Sequence, residues 1–151
     1  PDWPIKGVNF RDVTTLFKDK DTLREIADSM YDLYKDKGIT KIVGIESRGF
    51  VMSSAVAIRL NAGVVLCRKP GKLPCATIQE SYAKEYGIDT IEIHADSINE
   101  KDVVLLHDDL LATGGTMAAA SRKLTPLMGQ SGMQRRLSNS NCLFMINCLF
   151  L

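Results

Sequence analysis

The sequence predicts an α/β fold built on a parallel sheet. Three observations carry that reading. Short apolar runs recur at residues 41–45, 63–67 and 103–106, each the length of a buried strand. Helical patterns separate them, and strands alternating with helices favour parallel pairing through right-handed crossovers. Each apolar run also empties into a polar loop, at 46–49, 68–72 and 108–116. In parallel sheets ligands collect beyond the carboxyl ends of the strands, so these loops define a candidate site.

Taken in order, residues 1–15 hold Pro4 and Gly7 without a clean period and read as a surface arm. From Asp21, Leu23, Ile26, Met30, Leu33 and Tyr34 recur at helical spacing, and Gly38 stands where a C-terminal cap belongs. The strand at 41–45 is followed by a helix at 50–60 rich in small residues, then by the strand at 63–67. Residues 75–87 are polar, contain tyrosine and lack a strong pattern; a loop of that length in a compact domain tends to be functional. Residues 90–94 alternate apolar and polar, as a half-exposed strand does. A buried strand at 103–106 leads through a glycine turn to a helix at 117–124, which Pro126 is expected to interrupt. The remainder, 125–151, is an atypical tail. Residues 130–141 are polar, and Asn-Cys-Leu-Phe occurs at Asn141 and again at Asn147. A terminal strand from Cys142 to Ile146 is one reading of it. Unpaired, such a strand would be aggregation-prone.

At 151 residues the chain suits a single domain with a sizeable core. A net charge of +1 gives no bulk basicity for nucleic acid, and the cluster at 68–72 suits a small anion better. Cys67, Cys75, Cys142 and Cys148 show neither zinc-site nor disulfide spacing, and reduced thiols of a cytoplasmic protein are expected. Pro1-Asp-Trp-Pro shows no basic apolar leader, so no targeting segment is expected. The apolar tract at 142–151 is too short to span a membrane.

The most informative string is Val103-Val-Leu-Leu-His-Asp108-Asp109-Leu-Leu-Ala112-Thr113-Gly114-Gly115-Thr116. It delivers two carboxylates at a strand's end, then a hydroxyl-rich glycine turn, then a helix start. Paired acids grip vicinal hydroxyls of a sugar. Orphan amides and the positive end of the helix dipole favour a phosphate. A phosphorylated sugar meets both demands, although Gly114-Gly115 alone is also an ordinary tight turn. Upstream, Gly44-Ile-Glu46-Ser47-Arg48-Gly49-Phe50 runs strand, turn, helix, and Ser47, Arg48 and Gly49 suit a pyrophosphate. A local Glu46–Arg48 ion pair is the alternative. Arg68-Lys69-Pro70-Gly71-Lys72-Leu73-Pro74 places three cations after a strand and stiffens them with two prolines. A solvated charged loop is the bland reading; a stiff cationic loop suits pyrophosphate. His107 reads as a satisfied core or edge histidine without a catalytic role. His94 closes its strand, and neither histidine has ligand spacing.

Together these strings resemble the type I phosphoribosyltransferases over roughly residues 1 to 124. That resemblance implies the family's parallel-sheet fold with a small N-terminal hood at 1–15 and a mobile loop at 73–87. It implies transfer of 5-phosphoribose from phosphoribosyl pyrophosphate to a purine, adenine, giving AMP and pyrophosphate in purine salvage. Asp108 and Asp109 are then expected on the ribose, and Ala112, Thr113, Gly114, Gly115 and Thr116 on the 5-phosphate. Ser47, Arg48, Arg68, Lys69 and Lys72 fall to the pyrophosphate, with an often cis peptide at Glu46–Ser47. Phe10 would stack on adenine while Asn9 and Arg11 read its edge through the backbone. Glu85 matches the acid that handles the purine proton and Tyr86 the aromatic that shields the reacting centre. Magnesium is implied, held largely by substrate oxygens and waters rather than by a protein cage. A homodimer is implied as well. The family's glycine after the second proline is Cys75 here, and the aliphatic residue before the two acids is His107.

Overall fold

A computed structural model describes residues 12–84, 87–109, 115–127 and 142–144. Among them, helices α1 (Thr14–Phe17) and α2 (Lys20–Tyr34) precede strand β1 (Lys41–Ile45). Helix α3 (Gly49–Leu60) and β2 (Gly63–Cys67) follow, then β3 (Thr77–Lys84) and β4 (Gly87–His94). Strand β5 (Val104–His107), helix α4 (Gly115–Leu127) and β6 (Cys142–Phe144) complete the order.

The sheet order is β2-β1-β5-β6, parallel throughout. The crossover through α3 carries the chain to one side of β1, and β5 then pairs on the other side. Strand order therefore reverses between β1 and β5, which opens a crevice at their carboxyl ends. Both faces of this sheet are covered, as parallel pairing requires. One face packs Ile42 and Leu105 under α2 and α3, against Met30, Tyr34, Met52 and Val56. The other packs Val43, Val65, Val104 and Leu106 against α4 and the β3–β4 pair. Gly44 lets α3 approach β1 closely: a side-chain carbon there would lie 2.6 Å from Ser53 Oγ.

Local signals explain most boundaries. Asp19 caps α2 by accepting from the Thr22 N–H at 2.7 Å. Gly38 does adopt a left-handed φ of +64°, but in the turn beyond the helix, because Lys35 is the actual C-cap. Asn61 ends α3 in the left-handed region, donating its N–H to Ala57 and Ile58 carbonyls. The helix α4 runs one residue past Pro126 rather than stopping before it. Pro126 forfeits its own bond to the carbonyl four residues back, but with one helical residue after it no further turn has to be built on the break.

Two expectations are corrected. Of the described residues in the stretch at 73–87, only those through 76 are loop; Thr77–Lys84 is strand β3, paired antiparallel with β4 along its whole length. Residues 90–94 are accordingly not in the parallel sheet, and Arg68 and Glu92 form the one-residue bridge between β2's end and β4. Nor does β4 alternate cleanly, since Ile91, Glu92 and Ile93 are all buried. A terminal strand, one reading of the tail, forms over Cys142–Phe144 of the 142–146 stretch, along β5. No helix among the described residues is long and apolar enough to cross a membrane.

Candidate active site

The loops after β1, β2 and β5 meet at the crevice. The Glu46–Ser47 peptide after β1 is cis. The Glu46 carboxylate accepts the Lys69 N–H at 2.8 Å and the Arg68 guanidinium at 3.3 Å. Burial pushes the Glu46 carboxyl up, but those donors outweigh it and hold it below its ordinary value. Arg68 in turn donates to the Lys72 carbonyl at 2.9 Å, so the basic loop folds around its first cation. The suggested Glu46–Arg48 pair does not form. Arg48 instead bonds Asp109 at 2.8 Å, across the switch point, with the Asp109 side chain only 5% exposed. Chain order put Glu46 and Arg48 side by side; strand order gave each a partner from another loop.

Gly49 makes that meeting possible. A side-chain carbon there would lie 3.2 Å from the His107 carbonyl and 3.5 Å from Asp108 Cα. The first turn of α3 thus seats directly on the end of β5. Asp108 keeps the local turn by accepting the Asp109 N–H at 2.9 Å.

A cleft of about 130 Å³ opens here, lined by Glu46, Arg68, Lys69, Asp89, Asp108 and Thr116 among others. Of the expected ligands, Arg68, Lys69, Asp108 and Thr116 therefore converge on one space. Ser47 is exposed beside it, and Gly115 stands at the start of α4. Lys72 is exposed and does not line the cleft; its N–H serves Glu92 instead. Asn9, Phe10, Arg11, Glu85, Tyr86, Ala112, Thr113 and Gly114 lie outside the described residues. No group of three or more metal-ligating side chains occurs among the described residues.

Several contributors escaped the sequence reading. Glu92 is 3% exposed and accepts from Lys72 N–H, Leu73 N–H, Thr77 Oγ1 and Gln79 Nε2 at 3.1–3.2 Å. Desolvation raises its carboxyl, and these four donors together hold it lowered. It anchors the basic loop from beneath, while His94 Nε2 meets the Pro74 carbonyl at 2.8 Å. Period-two alternation pointed Glu92 outward, and only the fold of the loop over β4 buries it. Tyr82 and Asp89, from β3 and β4, also line the cleft. Cys67 and Cys75 are free thiols. Burial first, then Asp108 and Glu46, pushes the Cys67 thiol up to about 12, so it stays protonated and inert.

Cys75 keeps the backbone that its position demands, with φ +64°. A left-handed residue with a β-carbon is strained. Cys75→Gly is expected to stabilise the protein by about 0.5–1 kcal/mol in thermal or urea unfolding. Cys75→Ala, which retains the β-carbon, should give no gain; equal effects of the two would remove strain as the cause.

His107 is corrected too. It is 1% exposed, yet neither ring nitrogen has a hydrogen-bond partner among the described residues. It is not a satisfied core histidine. It stands beside Gly44 in register, under α3, where Ser53 Oγ is likewise buried and unpartnered among those residues.

The phosphoribosyl transferase domain model matches residues 12–128 of this chain. An adenine phosphoribosyltransferase of Phocaeicola vulgatus is 68% identical over 122 residues, covering 81% of this chain and 70% of that one. The crystal structure of adenine phosphoribosyltransferase from Rhodothermus marinus superposes with a TM-score of 0.80 at 42% identity, over 96% of this chain and 78% of that chain. The Saccharomyces cerevisiae enzyme, solved with an imino-altritol bisphosphate and adenine, gives a TM-score of 0.79 at 35% identity, over 85% and 75%.

Proposed function

The chain belongs to the phosphoribosyltransferase family, among its adenine phosphoribosyltransferases, and from that premise we propose how its residues act. It is a pentosyltransferase of purine salvage, moving 5-phosphoribose from phosphoribosyl pyrophosphate to adenine with release of pyrophosphate and AMP. The observation that carries the assignment of roles is the convergence of Arg68, Lys69, Asp108 and Thr116 on one cleft at the sheet's switch point.

A purine nitrogen attacks the anomeric carbon while the C–O bond to pyrophosphate breaks and its electron pair leaves with the pyrophosphate oxygen. Positive charge builds on the ribose, as at other glycosidic centres. Catalysis is then chiefly positioning and electrostatics. The amides of 112–116 and the hydroxyls of Thr113 and Thr116 hold the 5-phosphate at the α4 N-terminus. Asp108 and Asp109 take the ribose hydroxyls and lie near the developing cation. Ser47, Arg48, Arg68 and Lys69 receive the leaving pyrophosphate, and Lys72, outside the cleft, adds positive charge to its approach. Since Arg48 and Asp109 bond each other, substrate binding must share out that pair between pyrophosphate and ribose. Arg68 is kept in place by Glu46, which supports a preformed rather than a recruited cation. Glu85 handles the adenine proton, Tyr86 shields the reacting centre, and Phe10 with Asn9 and Arg11 forms the adenine hood.

The oxygen donors of this cleft suit magnesium, which binds through one or two carboxylates plus substrate phosphates. Asp108 is the carboxylate that would meet it, and the ion would neutralise pyrophosphate charge. We place the enzyme in the cytoplasm as a homodimer. Exposed Val64 and Leu66 of β2 and Val51 and Ile58 of α3 support a subunit contact at that edge.

Incubation with phosphoribosyl pyrophosphate and magnesium should release pyrophosphate when adenine is added, and at least about tenfold more slowly with hypoxanthine or guanine, whose six-position presents an acceptor where adenine presents a donor. Absence of turnover with any purine would overturn the reading.

A further inference from the structure

The β3–β4 hairpin reaches the phosphate site through one hydroxyl. Tyr82 is 8% exposed, packed in the core with Met117, Ala120 and the rest of the α4 face. Its hydroxyl lies 2.7 Å from Thr116 Oγ1 and 3.4 Å from Asp89 Oδ2. Tyr82 and Asp89 are direct cross-strand partners, so the hairpin register itself assembles the row Asp89–Tyr82–Thr116. Arg122 and Glu80 add a second tie between α4 and β3, at 3.3 Å.

Each hydroxyl in that row has one proton, which fixes the logic. A carboxylate only accepts, so a Tyr82 that donates to Asp89 must accept from Thr116, and Thr116 then has no proton for a ligand. A phosphate dianion also only accepts. Thr116 must turn its proton to the anion, and its oxygen must then accept from Tyr82. The short 2.7 Å contact to Thr116 and the long 3.4 Å contact to Asp89 favour this second polarity.

We propose that Tyr82 is a positioning residue of the phosphate site, its hydroxyl directing the Thr116 proton toward the sugar 5-phosphate and making the hairpin part of that site. This rests on Thr116 as a phosphate ligand, the reading given above.

The test is a double-mutant cycle on Tyr82→Phe, which keeps the ring and its packing, and Thr116→Val. Tyr82→Phe should raise KM for phosphoribosyl pyrophosphate about five- to tenfold, the size of one hydrogen bond relayed to an anion. KM for adenine and kcat should move less than about twofold, a split that simple loosening of the core would not give. AMP binding should weaken by the same factor and adenosine binding should not, because adenosine lacks the phosphate. On the Thr116→Val background Tyr82→Phe should have no further effect, whereas Thr116→Ser should keep the sensitivity. If Thr116→Val raises KM but Tyr82→Phe does not, or the two effects are additive, the role given to Tyr82 is wrong and the phosphate site stands. If Thr116→Val leaves KM unchanged, the phosphate reading itself fails.

Discussion

Asp108→Asn is expected to lower kcat/KM by about 10²- to 10³-fold while leaving stability within about 0.5 kcal/mol. The loss follows from removing negative charge beside the carbon that becomes cationic. Stability survives because Asp108 is half-buried and its Oδ1 accepts the Asp109 N–H, a bond that an asparagine oxygen retains. Asp109→Asn should behave differently. Its side chain is 5% exposed and bonds Arg48 across the switch point, so neutralising it weakens a largely buried pair. A comparable activity loss should therefore come with about 2 kcal/mol of destabilisation, since a half-desolvated arginine loses its counter-charge. Steady-state kinetics and urea unfolding on both variants check the pattern. Wild-type kcat/KM in either variant would remove that carboxylate from the ribose site.

Acid sensitivity centred on His107 is the second large effect. Burial lowers its pKa from 6.5 to about 4, because the charged imidazolium would be stripped of its solvation there. The sign follows from linkage. Between those two values the unfolded chain binds a proton that the folded chain excludes, so stability is full above pH 6.5 and declines as the pH falls toward 4. The total loss should approach about 3 kcal/mol, at 1.36 kcal/mol per unit. His107→Leu removes two unpartnered buried nitrogens and fills a similar volume with an apolar group. It should flatten the pH dependence across that window and stabilise the fold at pH 5 relative to the parent. Unfolding midpoints measured from pH 4 to 8 decide the matter; a parallel loss in both proteins would assign the acid lability elsewhere. Since His107 directly precedes the two acids, its opening would also loosen the ribose site first.

How far these residues could be read in advance depends on the range of the interaction. Strands β1, β2 and β5 and helix α3 were legible because apolar periodicity and Asn, Gly or Asp punctuation act over a few residues. The two acids were legible because they directly follow the apolar run that forms strand β5, within one stretch of chain. Three misreadings have a common origin. Glu92 alternates as if exposed, residues 77–84 look patternless, and His107 looks satisfied. Each is decided by what packs against it from far along the chain: the basic loop over Glu92, β4 beside β3, and α3 over His107.

From residue order alone came the parallel α/β plan, the glycine-led helix starts and the identities of the charged groups at the strand ends. Tertiary structure alone chose the partners: Glu46 with Arg68, Arg48 with Asp109, Tyr82 with Thr116. The reason is physical. Backbone hydrogen bonding and amphipathic period are set by near neighbours, whereas a charge or hydroxyl takes whichever group the strand order carries within about 3 Å.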